Sequence, residues 1–368
     1  MPVDRTPSSR RLWFLEAPGV ALGMLLMILL STGCQHIRTS PSRPSARLVG
    51  TLWFMSPNDL NRPITAWQTE LDQLQALGIR ILVLNGSVVG ETPPADTPDP
   101  MEAFFDEADR RELSIYVDTL AAPNWWTLSD PAPEIARART RVEALASRYG
   151  KHPSFTGWYI PYELYVMWDA PAELIAALYR DISAACKQVS PDKPVMISPF
   201  FILDQAGNLG SFRWASSAEY QQFWTALLQQ TQVDIVALQD SGEHLSCYTM
   251  EERRPFLAAM KAACATAHKK FWVNIEVGEL GVESLSAYTN RFGFKTHVND
   301  PRTAAAWRGV APDKLHQKLE LAGEYTDTAI SWGYQQFVRP TLGPEAQHLH
   351  EAYRSMLMIR RPHMEPQP

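Results

Sequence analysis

The chain has 368 residues and carries 34 basic against 40 acidic side chains, a formal charge of −6. That mildly acidic balance argues against nucleic acid and against anionic lipid headgroups as partners. The length is enough for one large hydrophobic core or two small ones, so the order of the elements has to decide between them.

The first segment lies outside the fold. In "RRLWFLEAPGVALGMLLMILLSTGC" a basic start precedes an apolar stretch too short to span a bilayer comfortably, the pattern of a secretion signal over residues 1–33. Its end, "LLSTGC", resembles the bacterial lipobox, which makes Cys34 the expected lipidation site and the membrane a partner through a lipid anchor. Ser31 stands where that motif usually has Leu, so an ordinary signal or an uncleaved anchor is the alternative. Gln35 rather than Asp follows the cysteine, which matches the outer-membrane-sorted lipoproteins of Gram-negative bacteria. Residues 34–47, with "QHIRTSPSRPSAR", have no apolar periodicity and read as a tether that holds a domain off a membrane. The expected location is therefore the cell envelope.

From Leu48 the pattern alternates. Short β-branched or aromatic runs recur at "RLVGTLWFMS", "IRILVLNGS", "LSIYVDTLA", "FTGWYIPYE", "PVMISPFF", "VDIVALQD", "KFWVNIEVGE" and "TAISWGYQQF". Helix-period segments lie between them, as with Trp67, Leu71 and Leu74 before the second run and Leu178, Ile182 and Val189 before the fifth. Pro63, Pro100, Pro171 and Pro312 sit where first-turn prolines belong. Strand and helix units repeated eight times predict an α/β fold, a single (β/α)8 TIM barrel over residues 48–360 with a tail at 361–368. A doubly wound sheet is the runner-up, but no Gly-rich phosphate loop follows the first run. An exported compartment permits disulfides. Cys186 falls on an apolar helix face and reads as a buried thiol, whereas Cys247 and Cys264 are candidates for a pair.

In such a barrel the C-terminal ends of the strands face the ligand-binding mouth. Those ends carry Asn85, Asp118, Tyr159 with Tyr162 and Glu163, Ser198, Gln239 with Asp240, and Asn274 with Glu276. They predict a polar, acidic ring on an apolar barrel. Trp53, Trp125, Trp126, Trp168 and Trp214 fall near the same end, and aromatic faces stack on the C–H faces of sugar rings. Each tryptophan alone reads more readily as core packing, and only clustering at the mouth makes them informative.

The segments "YGKHPSFTGWYIPYELY", "ISPFF", "DIVALQDSGEH" and "WVNIEVGE", in this order, resemble the domain of unknown function 4434, a group of glycosyl-hydrolase-like TIM barrels. The likeness runs from about Leu48 to about Pro344 and implies carbohydrate-active ancestry without a substrate. The eighth run departs from the family habit of a Tyr-Met-Ser-Pro ending and has "YQQFVRP". More widely, the chain is similar to retaining glycosidase barrels with an acid/base Glu at the end of strand four and a nucleophile Glu at the end of strand seven. Glu163 and Glu276 occupy those strands, but Tyr162 stands where such enzymes usually have Asn.

Glycoside cleavage needs one carboxylic acid to protonate the leaving oxygen and one carboxylate to attack or stabilise the anomeric carbon, with no cofactor or metal. Glu163, among Tyr159, Pro161 and Tyr162, has the apolar setting that suits the acid. Glu276 follows Asn274 in a more polar run and suits the base or nucleophile, with Glu279 as its rival. Gln239, Asp240, Glu243, Asn274, Tyr159, Tyr162, Asn85, Asp118, Trp53 and Trp126 are the expected sugar contacts, and Asp240 as a base would make the enzyme inverting. His348 and His350 face apart on a helix, and no Gly-x-Ser-x-Gly elbow occurs, so metal and acyl-transfer chemistry have no anchor. Two expectations follow: a membrane-tethered glycoside hydrolase acting on an envelope or exported polysaccharide, or a catalytically silent carbohydrate-binding lipoprotein of an envelope or secretion complex.

Overall fold

A computed structural model describes residues 45–86, 99–122, 125, 128–210, 213–240 and 245–359. Eight parallel strands close into a barrel: β1 (Arg47–Phe54), β2 (Ile81–Asn85), β3 (Ser114–Asp118), β4 (Phe155–Ile160), β5 (Val195–Ile197), β6 (Ile235–Gln239), β7 (Lys270–Glu276) and β10 (Thr328–Trp332). Closure is direct, because β1 pairs with β2 on one side and with β10 on the other. The doubly wound alternative is thereby excluded.

Between the strands run α2 (Ile64–Ala76), α3 (Pro100–Arg110), α4 (Ala132–Tyr149), α5 (Ala170–Val189), α6 (Ser217–Gln229), α7 (Met250–Thr266) and α9 (Pro312–Gly323), after a short α1 (Pro57–Leu60); α10 (Pro344–Ile359) closes the chain. Their starts obey local chemistry. Pro100 and Pro312 open α3 and α9, where the missing N–H costs nothing, and Thr249 with Glu252 forms a capping box on α7.

Strand alternation divides the apolar side chains into two layers. Leu52, Val83, Tyr116, Tyr159, Met196, Ile235, Ala237 and Ile330 form a cluster drawn only from strands, which is the barrel interior. Their neighbours, such as Trp53, Leu84, Val117, Trp158 and Leu238, point outward and join Trp67, Phe104, Leu145, Leu178 and Met260 of the helices in the larger core.

The chain adds one feature that strand counting does not predict. After β7 comes a two-stranded antiparallel ribbon, β8 (Gly278–Leu280) with β9 (Trp307–Gly309), enclosing α8 (Leu285–Phe292). Leu280, Tyr288, Phe292 and Val298 of this insert pack with Leu209 and Leu245 from the loops after β5 and β6, a small core separate from the barrel's.

The candidate Cys247–Cys264 pair is not formed. Cys264 lies on the buried face of α7, its thiol pushed up to about 12 by burial, while half-buried Cys247 packs with the insert's cluster. Cys186 is the buried thiol expected, on the inner face of α5.

Candidate active site

Pairing registers bring the strand ends level. Phe54 faces Asn85, Asp118 faces Tyr159, Gln239 faces Asn274, and Glu276 faces Trp332. Below this rim is a polar floor. The Asn274 amide donates to Ser198 Oγ (2.9 Å), whose hydroxyl donates to the Ala237 carbonyl (2.8 Å), and Gln239 Nε2 donates to the Ser198 carbonyl (3.0 Å). Asn274 is 1% exposed, and its Oδ1 has no hydrogen-bond partner among the described residues. A buried acceptor left without a donor is costly, which makes this oxygen a candidate ligand contact.

Glu163 follows the floor's fourth strand. Pro161 cannot donate to the ladder, so β4 ends at Ile160, and the following segment is tied to the loop after β5 by the Phe200 N–H to the Leu164 carbonyl (3.0 Å). Glu163 is half-buried there. Its charge acts on two phenols: burial first, and the Glu163 carboxylate second, hold Tyr159 and Tyr179 well above the ordinary tyrosine range. A carboxyl beside two buried tyrosines has an apolar, hydroxyl-lined setting.

Glu276 ends β7 and is 1% exposed. Its rival is otherwise engaged. Glu279, on β8, accepts from Lys314 Nζ (2.5 Å) and Arg308 Nη2 (3.2 Å), so its charge belongs to the ribbon's ion pairs. Glu276, the last residue of β7, remains the candidate second carboxylate.

Four expected sugar contacts have other work. Trp53 is 0% exposed on the outer face of β1, with its ring 5.3 Å from Trp67 and the Arg62 guanidinium 5.7 Å away. Alternation explains the difference: Leu52 points into the barrel, so Trp53 points out. Tyr162 also faces outward, donating its phenol to Glu134 Oε1 of α4 (2.9 Å). Asp118 is buried with Arg141 (2.5 Å) and accepts the Gly86 N–H (2.8 Å). Asp240 is buried against the Lys318 ammonium, 3.2 and 3.0 Å from its two oxygens, a poor position for activating water. Asn85 is half-buried at the end of β2. Cys34, Trp126 and Glu243 lie outside the described residues. Among the tryptophans expected near the mouth, Trp125 packs edge-on against Tyr162 (5.3 Å), and Trp168 lies under the Arg213 guanidinium (4.3 Å).

Sequence reasoning missed an aromatic group beside Glu276. Trp332, at the end of β10, meets Trp307 of β9 (centroids 5.9 Å apart) and Phe337 (6.2 Å); all three are half-buried. Glycine makes room for Phe337. A Cβ on Gly278 would lie 2.1 Å from its ring, and Gly333, at φ +99°, ends β10 by turning the chain beneath it. Gly278→Ala should therefore cost about 1–3 kcal/mol of stability through overpacking, read as a lower melting temperature. The signal was present in "ISWGY" and "EVGEL", where an aromatic strand end and a glycine follow directly on the barrel pattern.

One cluster of metal-ligating side chains occurs among the described residues, Glu102, Asp106 and His152. It sits on α3 and before β4, at the opposite end of the strands from the mouth, and Lys151 already pairs with Glu102.

A closed (β/α)8 barrel with carboxylates at the ends of its fourth and seventh strands defines the class. The chain belongs to the family described as a domain of unknown function, DUF4434, whose model matches residues 48–344. Among curated proteins none matches. Solved structures share the fold. A candidate alpha-L-fucosidase from Bacteroides thetaiotaomicron VPI-5482 is 19% identical, with a TM-score of 0.66 over 93% of this chain and 100% of that one. A GH10 endoxylanase from a sugarcane soil metagenome is 13% identical, with a TM-score of 0.51 over 85% of this chain and 97% of its own. The endo-1,4-beta-D-mannanase of Thermotoga petrophila RKU-1 is 13% identical, with a TM-score of 0.51 over 84% and 99%.

Proposed function

We propose that this protein is a glycoside hydrolase, with Glu163 as the acid/base and Glu276 as the nucleophile or base. What supports the reading is that β7 ends on one carboxylate and the chain leaving β4 carries the other, beyond the amides of Asn274 and Gln239. Glu163 stands beside the buried Tyr159 and Tyr179 phenols, while the Glu276 peptide is bonded to Asp240 and Lys318. Trp332 offers an aromatic face for a sugar ring at the same rim. Three proteins of the same fold carry names of glycan-cleaving enzymes, which agrees with this reading.

The test is turnover by the purified protein on bacterial and plant polysaccharides and on a panel of 4-nitrophenyl glycosides. New reducing ends are expected, and the anomer of the first product, read by proton NMR, assigns retention or inversion. Binding to a glycan with no turnover on any of them would leave the carbohydrate-binding reading instead. One observation favours that second reading: Tyr162 faces α4, so the residue before Glu163 gives the mouth no amide.

The substrate we propose is an envelope or exported polysaccharide, reached by a domain anchored through lipid on Cys34. Cys34→Ala is expected to move the protein from the detergent phase to the aqueous phase in cells while the barrel still folds, because nothing from Leu48 onward depends on the lipid. Equal partitioning of both forms would remove the anchor.

A further inference from the structure

At Asp240 the sheet changes partner. The Asp240 N–H still donates to the Asn274 carbonyl (3.1 Å), but the next rung of the parallel ladder is made by a side chain: the Glu276 N–H donates to Asp240 Oδ1 (2.9 Å). The Asp240 carbonyl that the ladder would otherwise use is taken by Arg253 Nε (3.0 Å). Arg253, itself 1% exposed, also donates to the Tyr248 and Thr249 carbonyls (2.5 and 2.6 Å), which ties Asp240 to the start of α7. From the other side, α9 sends in Lys318, 3% exposed. Its ammonium binds Asp240 and donates to the Glu276 carbonyl (2.8 Å).

Both peptide groups of one residue are thus held by a single buried ion pair. An isolated buried aspartate or lysine would be costly, and a pair this deep is weak support for stability alone. Its position is specific. We infer that Asp240 and Lys318 are positioning residues, which clamp the N–H and C=O of Glu276 and so fix its carboxylate at the barrel mouth. The inference rests on the proposed role of Glu276. The same device occurs once more without a carboxylate to place: Asp118 accepts the Gly86 N–H (2.8 Å), and Arg141 of α4 reaches both Asp118 and the Gly86 carbonyl (3.3 Å). At Gly86 the same geometry follows a strand with no carboxylate to place. At β7 the residue it finishes is the candidate catalytic one.

The experiment compares the full chain with Lys318→Met, which keeps the apolar stem and removes the ammonium, and with Leu145→Ala, a cavity on α4 that destabilises the outer layer far from the mouth. Hydrogen exchange is followed at the Glu276 amide, with the Val277 amide, which donates to Trp332 on the opposite side, as reference. Lys318→Met should speed exchange at Glu276 by about tenfold or more and leave Val277 near its wild-type rate. On the 4-nitrophenyl glycoside that the wild type cleaves fastest, kcat should fall about 10- to 100-fold with KM within about twofold, because a misplaced catalytic group costs rate rather than binding. Should Lys318→Met fail to fold, the double variant Asp240→Asn with Lys318→Met strands no charge and is expected to show both effects.

Unchanged exchange at Glu276 overturns the clamp. Faster exchange with unaltered kcat, or a kcat loss matched by Leu145→Ala, overturns the positioning role. A wild type without turnover, in which Lys318→Met still speeds exchange at Glu276 alone, supports the clamp and overturns the hydrolase reading instead.

Discussion

Glu276→Gln is expected to remove turnover on natural glycans and activated aryl glycosides alike. A neutral amide neither attacks an anomeric carbon nor balances its positive charge, and no leaving group, however good, replaces that function. The loss should exceed the factor of about 10² to 10⁴ that proton transfer alone supplies. Because Gln matches Glu in size, and the Glu276 backbone bonds to Asp240 and Lys318 do not involve its side chain, the melting temperature should stay near the wild-type value. Steady-state rates on both substrate classes, beside thermal melts, check this. Activity retained on either class would take the nucleophile or base role from Glu276.

Glu163→Gln should behave differently. It keeps the shape and hydrogen-bonding capacity of the side chain beside Tyr159 and Tyr179 but has no proton to give, so cleavage of a natural glycan should fall by about 10² to 10⁴. On an aryl glycoside, whose leaving group departs without protonation, the first step should be nearly spared. The pH profile supplies the sign. The acid is active while protonated, so the wild-type rate falls on the alkaline side as Glu163 ionises, and that limb should be absent in Glu163→Gln. Wild-type turnover of a natural glycan by this variant would return Glu163 to a structural role.

The barrel was legible because its signal is repeated: eight apolar runs separated by helix-period segments leave few other topologies, and the structure closes the runs in that order. Individual side chains were less so. Trp53 and Tyr162 were read as mouth residues because they stand near strand ends, yet one residue of register decides which face a strand side chain takes. Leu52 and Tyr159 fix that phase, and both aromatics fall on the helix side. Asp118 and Asp240 were misread for another reason. A strand-end aspartate looks the same in sequence whether it faces a ligand or a lysine, and the partners, Arg141 and Lys318, come from helices 23 and 78 residues further along. Trp332 was within reach, since an aromatic residue at the end of the last strand obeys the same rule that picked out Glu163 and Glu276.

The insert after β7 buries Leu280, Tyr288 and Phe292 against Leu209 and Leu245 instead of against the barrel. The insert thus has a small core of its own, shared with the loops after β5 and β6. On the proposed function, lengthening or rebuilding residues 283–305 offers a way to vary substrate preference while β7 and β10, which carry Glu276 and Trp332, keep their pairing.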